Sequence, residues 1–538
     1  MTALEPLEPP VDPALAALAD AILIPPFPGT TAPRWLLDAL GRGLAGVTFF
    51  GPNVTGDTPS LTASLRGAAL HGAAGAEPVI AIDEEGGDVT RVAYASGSPY
   101  PGNAALGAVD DVALTRSVYA AIGADLARLG INTDLAPCAD VLAVDGSAVV
   151  GTRSFGADPA LVARHVSAAV TGLQSSGVAA CAKHFPGHGS TSADTHLALA
   201  TVAGTLADVR ARDLPPFAAA IAAGTVGVMP GHLRVPELTG ELPASLSHAA
   251  VTGLLRGELG FAGVVICDAL EMKAASAVFG IPEAAVLAVL AGVDLLCLGR
   301  DTDEAMYHAV RAALADAVTS GRLAGARLEE AASRVAALRA RLARSRDAGP
   351  AGPAPAGPGA VGAGPAGTVP ARTGAGAGGE PTASDVEEAR KVVSGTAPGD
   401  GIGLVAARRA LRRSGPVPAA LATPLVIEIE PEENIAAGRF TWGFESWAAV
   451  RRVDPAAGDG AAADGILAAA AGRPLVLAVR DARRVLGLVD AVLAVRPDAV
   501  VIEMGVPHWS PPPGTAYLAT YGASRVCAQA AAETLGLV

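Results

Sequence analysis

Eight short apolar, β-rich runs follow one another between residues 21 and 299: Ala21–Pro26, Gly46–Gly51, Pro78–Asp83, Ile131–Val141, Val178–His184, Thr225–Gly231, Gly263–Asp268 and Val293–Gly299. Segments with helical spacing separate them, among them Asp111–Leu129, Pro159–Ser175, Leu206–Ala223 and Ser247–Leu259. Strands that alternate with helices form parallel sheets, because each return crossing needs a helix to carry it. Eight such units in this length predict an α/β fold, a (β/α)8 TIM-type barrel, with an open doubly wound sheet as the alternative. In a barrel the working residues stand at the carboxyl ends of the strands. Polar residues fall at those ends here: Asp83 after the third run, Lys183 and His184 at the fifth, His232 after the sixth and Asp268 at the seventh.

A Gly/Pro/Ala-rich stretch divides the chain, since its composition cannot bury a core. The predicted organisation is a barrel domain over residues 1–345, a flexible linker over 346–384, and a smaller α/β sandwich over 385–538 of unknown role. Strands are expected in that last part at Pro424–Ile429, Pro474–Val479 and Ala499–Met504. Glu503, at the end of one, reads as a surface or capping residue before a catalytic one.

The formal charge of −14 argues against nucleic acid, which is bound through Lys/Arg contacts to phosphates, and against anionic membrane surfaces. The five cysteines are odd in number and unclustered, so buried free thiols are expected in a reducing compartment. The first residues carry acid and proline where a signal peptide needs basic and apolar ones, and no apolar run reaches spanning length. The expected location is cytoplasmic. No Gly-x-Gly-x-x-Gly follows a first strand and no Gly-x-x-x-x-Gly-Lys-Ser/Thr occurs, so no nucleotide is expected, and no cofactor of any kind is called for.

Three of the nine histidines fall in residues 183–196, with Lys183, Asp194 and a Pro186-Gly187-His188-Gly189 turn. Crowded titratable groups beside a buried strand are expensive unless a site uses them. Asp194 and His196, two apart, can hydrogen-bond, leaving the second imidazole nitrogen as a general acid/base. A metal is the alternative, with His184, His188, Asp194 and His196 as ligands. Against it, the Pro-Gly turn removes the helical register of His184 and His188, and no metal site is called. Asp268 directly follows a buried strand, which suits a nucleophile; capping the next helix is its plain structural alternative. Asp83 is placed to accept from ligand hydroxyls. Arg91 either clamps the ligand or pairs with Glu84. Arg153 lies in a glycine-bounded loop, Gly151–Gly156.

Seven motifs in order carry a resemblance: Phe50-Gly51-Pro52-Asn53, Asp83-x-Glu85-Gly86-Gly87-x-Val89-x-Arg91, Gly130-Ile131-Asn132-x-Asp134-x-Ala136-Pro137, Arg153-Ser154-Phe155-Gly156, residues 183–196, Pro243-Ala244-Ser245-Leu246-Ser247 and Asp268-Ala269-Leu270-x-Met272. From about Gly46 to Gly299 the chain resembles family 3 glycoside hydrolases, in their β-N-acetylglucosaminidase branch. The resemblance implies a retaining exo-hydrolase that removes terminal β-linked N-acetylglucosamine through a glycosyl-enzyme intermediate on Asp268. It implies His196, paired with Asp194, as acid/base, and Asp83, Arg91, Arg153, Lys183 and His184 as sugar-binding residues. Its partner would be a small carbohydrate, in cell-wall recycling or chitooligosaccharide use. A phosphorylase and a non-catalytic sugar-binding protein are the alternatives. Asp88 and Cys267 depart from the branch's commoner residues, an Arg and a Ser or Thr.

Overall fold

The computed structural model describes residues 12–73, 75–143, 149–191, 199–348, 400–429, 442–455 and 458–538. All eight expected strands form, in the expected order: β1 (Leu23–Ile24), β2 (Gly46–Phe49), β3 (Val79–Ile82), β4 (Thr133–Asp134), β5 (Ala179–Phe185), β6 (Gly227–Pro230), β7 (Val264–Cys267) and β8 (Leu295–Cys297). Each pairs in parallel with its neighbours, in the order β1-β8-β7-β6-β5-β4-β3-β2. The two ends of that row meet through Thr48, whose N–H donates to the Pro25 carbonyl (3.3 Å) and whose hydroxyl donates to Ile24 (3.2 Å). That pair closes the barrel. The strands are buried along their whole length, which is why they read as continuous apolar runs and not as alternating ones.

Two expected elements differ. The run Ile131–Val141 is a strand only at Thr133–Asp134, because Pro137 has no N–H to offer the ladder. Beyond it the chain still follows β5, through a bridge between Cys138 and Lys183. The segment Leu206–Ala223 is two helices, Leu206–Arg212 and Leu214–Ala222, since Pro215 and Pro216 sit in the first turn of the second and cannot continue the first.

The last barrel helix, Gly325–Ala348, runs past residue 345, and the rest of the expected linker lies outside the described residues. The second domain is built on a six-stranded sheet: β9 (Arg412–Ser414), β10 (Leu425–Ile429), β11 (Ala449–Val453), β12 (Leu475–Val479), β13 (Val500–Glu503) and β14 (Ala516–Ala519), ordered β9-β14-β13-β12-β10-β11. Only β9 is antiparallel. Apolar clusters cover both faces, making the predicted sandwich. The three strands absent from the sequence reading are short, or, like β11 with Arg451 and Arg452, lie exposed at an edge.

Glu503 is buried, not superficial. Its carboxyl accepts N–H bonds from Asp481, Ala482 and Gly505 (3.1–3.3 Å), and burial raises its pKa to about 8. It caps the short helix Ala482–Val485. All five cysteines are buried free thiols. Among the described residues, no single helix is long and apolar enough to cross a membrane.

Candidate active site

The carboxyl ends of β3, β4, β5, β7 and β8 open on a cavity of about 230 Å³. Asp83, Arg91, Arg153, Lys183, His184 and Asp268 all line it. Six positions drawn from loops up to 185 residues apart in sequence thus converge on one space.

Asp268 leaves β7 half-buried, its Oδ1 accepting the Ala269 N–H (2.8 Å). The strand and its neighbour hold that loop from two sides. His232 is fully buried, with Nε2 donating to the Ala269 carbonyl (3.0 Å) and Nδ1 2.6 Å from the Ser245 hydroxyl. A carbonyl only accepts, so the proton sits on Nε2 and the Ser245 hydroxyl donates to Nδ1. Glu271 accepts the N–H groups of Arg300 (2.6 Å) and Asp301 (2.5 Å), tying the β7 loop to the β8 loop. Glu271 therefore has a holding task.

Across the cavity lies a buried charge cluster. Lys183 Nζ reaches Asp83 Oδ1 (2.5 Å) and Glu85 Oε1 (2.8 Å). Arg153 grips Glu85 with two prongs, Nε to Oε2 (2.9 Å) and Nη2 to Oε1 (2.7 Å). Burial pushes the Glu85 carboxyl up, but Arg153 and Lys183 outweigh it and hold the group well below the usual carboxylate range. In the same way burial lowers Lys183 and Arg153, and their carboxylates more than reverse it. The cluster stays charged because each ion is paired and hydrogen-bonded.

Asp140 organises the fifth-strand motif. Its Oδ1 accepts the main-chain N–H of His184 (3.2 Å) and of His188 (2.7 Å), and its Oδ2 accepts from His184 Nδ1 (2.8 Å) and Cys138 Sγ (3.1 Å). Burial raises Asp140, but His184 and His188 bring it down to about 2. With Nδ1 donating to Asp140, His184 presents Nε2 to the Arg153 guanidinium (3.3 Å). His188 is buried, which lowers it to about 4 against the pull of Asp140, and its Nδ1 meets the Thr191 hydroxyl (2.6 Å). Among the described residues, the group with metal-ligand proximity is Cys138, Asp140 and His184, not the histidine set of the motif. Burial keeps the Cys138 thiol protonated, and that proton is what Asp140 accepts.

Two of the motif's glycines are required by close contact. A Cβ on Gly187, whose φ is +132°, would lie 2.5 Å from Asp213 Cβ, and one on Gly189 would lie 1.9 Å from the Val141 carbonyl oxygen. Gly189→Ala must push the turn off the β4 loop, at a cost of about 1–3 kcal/mol. Thermal unfolding of G189A against wild type measures it, and an unchanged midpoint would contradict the packing.

Asp194 and His196 lie outside the described residues, as does all of 192–198. Both flanks of that stretch are described, and one side chain reaches both. Arg212 Nη2 donates to Ser190 Oγ (2.9 Å) and to the Ala203 carbonyl (3.4 Å), while Asp213 takes two bonds from the same guanidinium (3.0 and 2.8 Å).

Sequence reasoning missed Glu85, Asp140, Asp134 and Arg212. An acid inside an apolar run was the available signal for Asp134 and Asp140. Asp134 is fully buried, with Oδ1 accepting the Glu84 N–H (3.0 Å) and Oδ2 without a hydrogen-bond partner. Burial raises its pKa well above the usual carboxylate range. Glu84 accepts the main-chain N–H of Arg91 (2.8 Å), the Arg91 charge acts on the same carboxyl, and Arg91 lines the cavity.

A closed parallel barrel with a carboxylate and a buried ion cluster at its carboxyl mouth defines a TIM-type barrel enzyme. The chain belongs to glycosyl hydrolase family 3: the Glycosyl hydrolase family 3 N terminal domain matches residues 34–338, more than half of its length. It is 35% identical over 317 residues to beta-hexosaminidase A of Pseudoalteromonas piscicida, covering 55% of this chain and 53% of that protein. It is 41% identical over 221 residues to beta-hexosaminidase LpqI of Mycobacterium tuberculosis, covering 40% of this chain and 57% of that one. The chain thus spans little more than half the length of these curated relatives. The solved structure of a glycoside hydrolase family 3 beta-N-acetylglucosaminidase from Paenibacillus sp. str. FPU-7 superposes with a TM-score of 0.77 at 28% identity, covering 97% of both chains.

Proposed function

We propose that the chain is a retaining exo-β-N-acetylglucosaminidase. The observation that carries this reading is the opposition of Asp268 to the Asp83/Glu85/Arg153/Lys183/His184 cluster across one small cavity. A terminal sugar seated there offers its hydroxyls to Asp83, Arg91, Arg153, Lys183 and His184, which brings the anomeric carbon to Asp268. The carboxylate then forms a bond to that carbon as the bond to the leaving oxygen breaks. His196, oriented by Asp194, gives its proton to the leaving oxygen, and afterwards takes one from the water that releases the sugar. A histidine in this role adds no negative charge beside the nucleophile. Support for N-acetylglucosamine comes from the names of the relatives and from the ordered motifs. Cell-wall recycling or chitooligosaccharide use is the setting that substrate fits.

The test is incubation with p-nitrophenyl N-acetylglucosaminide and with the glucoside, followed by trapping with a fluorinated N-acetylglucosamine analogue. Preference for the first substrate and a labelled peptide containing Asp268 are expected. Faster release from the glucoside would refute the substrate assignment, label on another residue would refute the nucleophile, and sugar 1-phosphate accumulating in phosphate buffer would favour a phosphorylase.

A further inference from the structure

The second domain contributes no residue to the chemistry above, yet it touches the part of the barrel that grips the sugar. Its parallel strands run in the order β11-β10-β12-β13-β14, so the strand order reverses between β10 and β12. The crevice beyond the carboxyl ends at such a reversal is where doubly wound sheets take up ligands. Here Arg480, the residue after β12, points at the barrel: its Nη2 lies 3.4 Å from Asp88 Oδ2, and its guanidinium is 5.6 Å from the ring centre of Trp442.

Asp88 stands in the hairpin that carries Asp83, Glu85 and Arg91. Its Oδ1 accepts the Ala523 N–H from the second domain (2.9 Å), and its Oδ2 accepts the hydroxyl of Thr152, the neighbour of Arg153 (2.8 Å). The next residue, Val89, is buried inside the second domain's own apolar cluster, with Val426, Trp442 and Phe444. Val89 in turn holds Glu85, whose N–H donates to the Val89 carbonyl (3.0 Å). The fit is close enough that a Cβ on Gly522 would lie 2.7 Å from the Pro101 carbonyl oxygen. One carboxylate therefore joins the β3 hairpin, the Arg153 loop and the second domain.

We propose that Asp88 is a positioning residue through which the second domain holds the sugar-gripping hairpin and the Arg153 loop in register. The barrel's hairpin occupies the crevice that a free-standing sheet of this order would use for a ligand of its own. The kinetic part of this proposal rests on the N-acetylglucosaminidase reading; the mechanical part does not. The departure of Asp88 from an arginine acquires a reason: an arginine there would face Arg480 and offer nothing to the Ala523 N–H.

The experiment compares full-length Asp88→Ala, Asp88→Asn and Arg480→Gln with wild type. Hydrogen exchange in Asp88→Ala should quicken about 10-fold in peptides covering residues 84–92 and 152–155 but not in β5 to β7, because only the latched loops open. Hydrolysis should show KM raised about 10-fold with kcat within about 3-fold, since the hairpin binds the sugar before and during reaction alike. Asp88→Asn, which keeps an acceptor, should fall between. A role in stability alone would lower the unfolding midpoint and quicken exchange across the whole barrel with KM unchanged, and that result overturns the proposal. Should Asp88→Ala fail to fold, Arg480→Gln carries the same expectations from the other side of the contact. If wild type hydrolyses no N-acetylglucosaminide, the activity reading falls, and the exchange measurement alone still decides for or against Asp88.

Discussion

Replacing Asp268 with alanine is expected to lower kcat by about 10⁴-fold or more, because the other carboxyl of the β7 loop, Glu271, is held by the Arg300 and Asp301 N–H groups and does not replace it as nucleophile. The fold should survive, since the half-buried carboxylate is not part of the buried ion cluster and the loop keeps its ties through His232 and Glu271. Azide should restore part of the turnover in Asp268→Ala and yield the α-glycosyl azide, the product of one displacement in place of two. His196→Ala should behave differently. Its loss should be small on an aryl substrate with a good leaving group and large on a poor one, because only the poor one needs a proton. Wild-type turnover in Asp268→Ala would place the nucleophile elsewhere, and a loss in His196→Ala that ignores the leaving group would remove it as the acid.

Glu85→Ala should be the most damaging change to stability in the site. It strips Arg153 of both carboxylate bonds and Lys183 of one of two, in a place where Arg153 is 7% and Lys183 3% exposed by side chain. Breaking a buried ion pair from one side costs about 3–5 kcal/mol, because the remaining charges cannot reach water. Glu85→Gln keeps the shape and some bonds and should cost less. The pH dependence follows from the direction of the shift. Arg153 and Lys183 hold the folded-state pKa of Glu85 below its unfolded value of about 4.3, so its stabilisation is complete above that pH and drains away as pH falls below it. Asp140, lowered to about 2, adds to the same acid-side loss. Urea unfolding midpoints between pH 7 and 3 should therefore fall more steeply for wild type than for Glu85→Gln, which lacks the Glu85 share and keeps that of Asp140 and the other paired carboxylates. Parallel curves would mean that Glu85 is not the charged partner described.

The residues of the site were legible in very different degrees. Asp268, Lys183, His184 and Asp83 could be picked out because each is a polar residue at or beside the end of an apolar run, and a parallel barrel sends all such ends to one mouth; Arg153, in a glycine-bounded loop, came from the resemblance. The seven ordered motifs carried the family. Asp140 and Asp134 were harder, since each hides in a run that reads as one long strand, and what a buried acid accepts from depends on neighbours from other strands. Glu85 was quoted in a motif without a task, because its partners lie 68 and 98 residues away.

By itself, the sequence determined the number and order of the barrel strands and the polar residues Asp83, Lys183, His184 and Asp268 at their carboxyl ends. These follow from periodicity and composition, which are local properties of the chain. Tertiary structure alone decided who pairs with whom: Glu85 between two cations, Asp140 behind His184, Arg212 at both flanks of residues 192–198, and Asp88 against the second domain. Pairings of that kind are set by where strand ends and loops converge in space, over separations that no local pattern encodes. The second domain is the clearest case, since nothing in residues 400–538 announces the hairpin at 84–91 that its sheet was folded around.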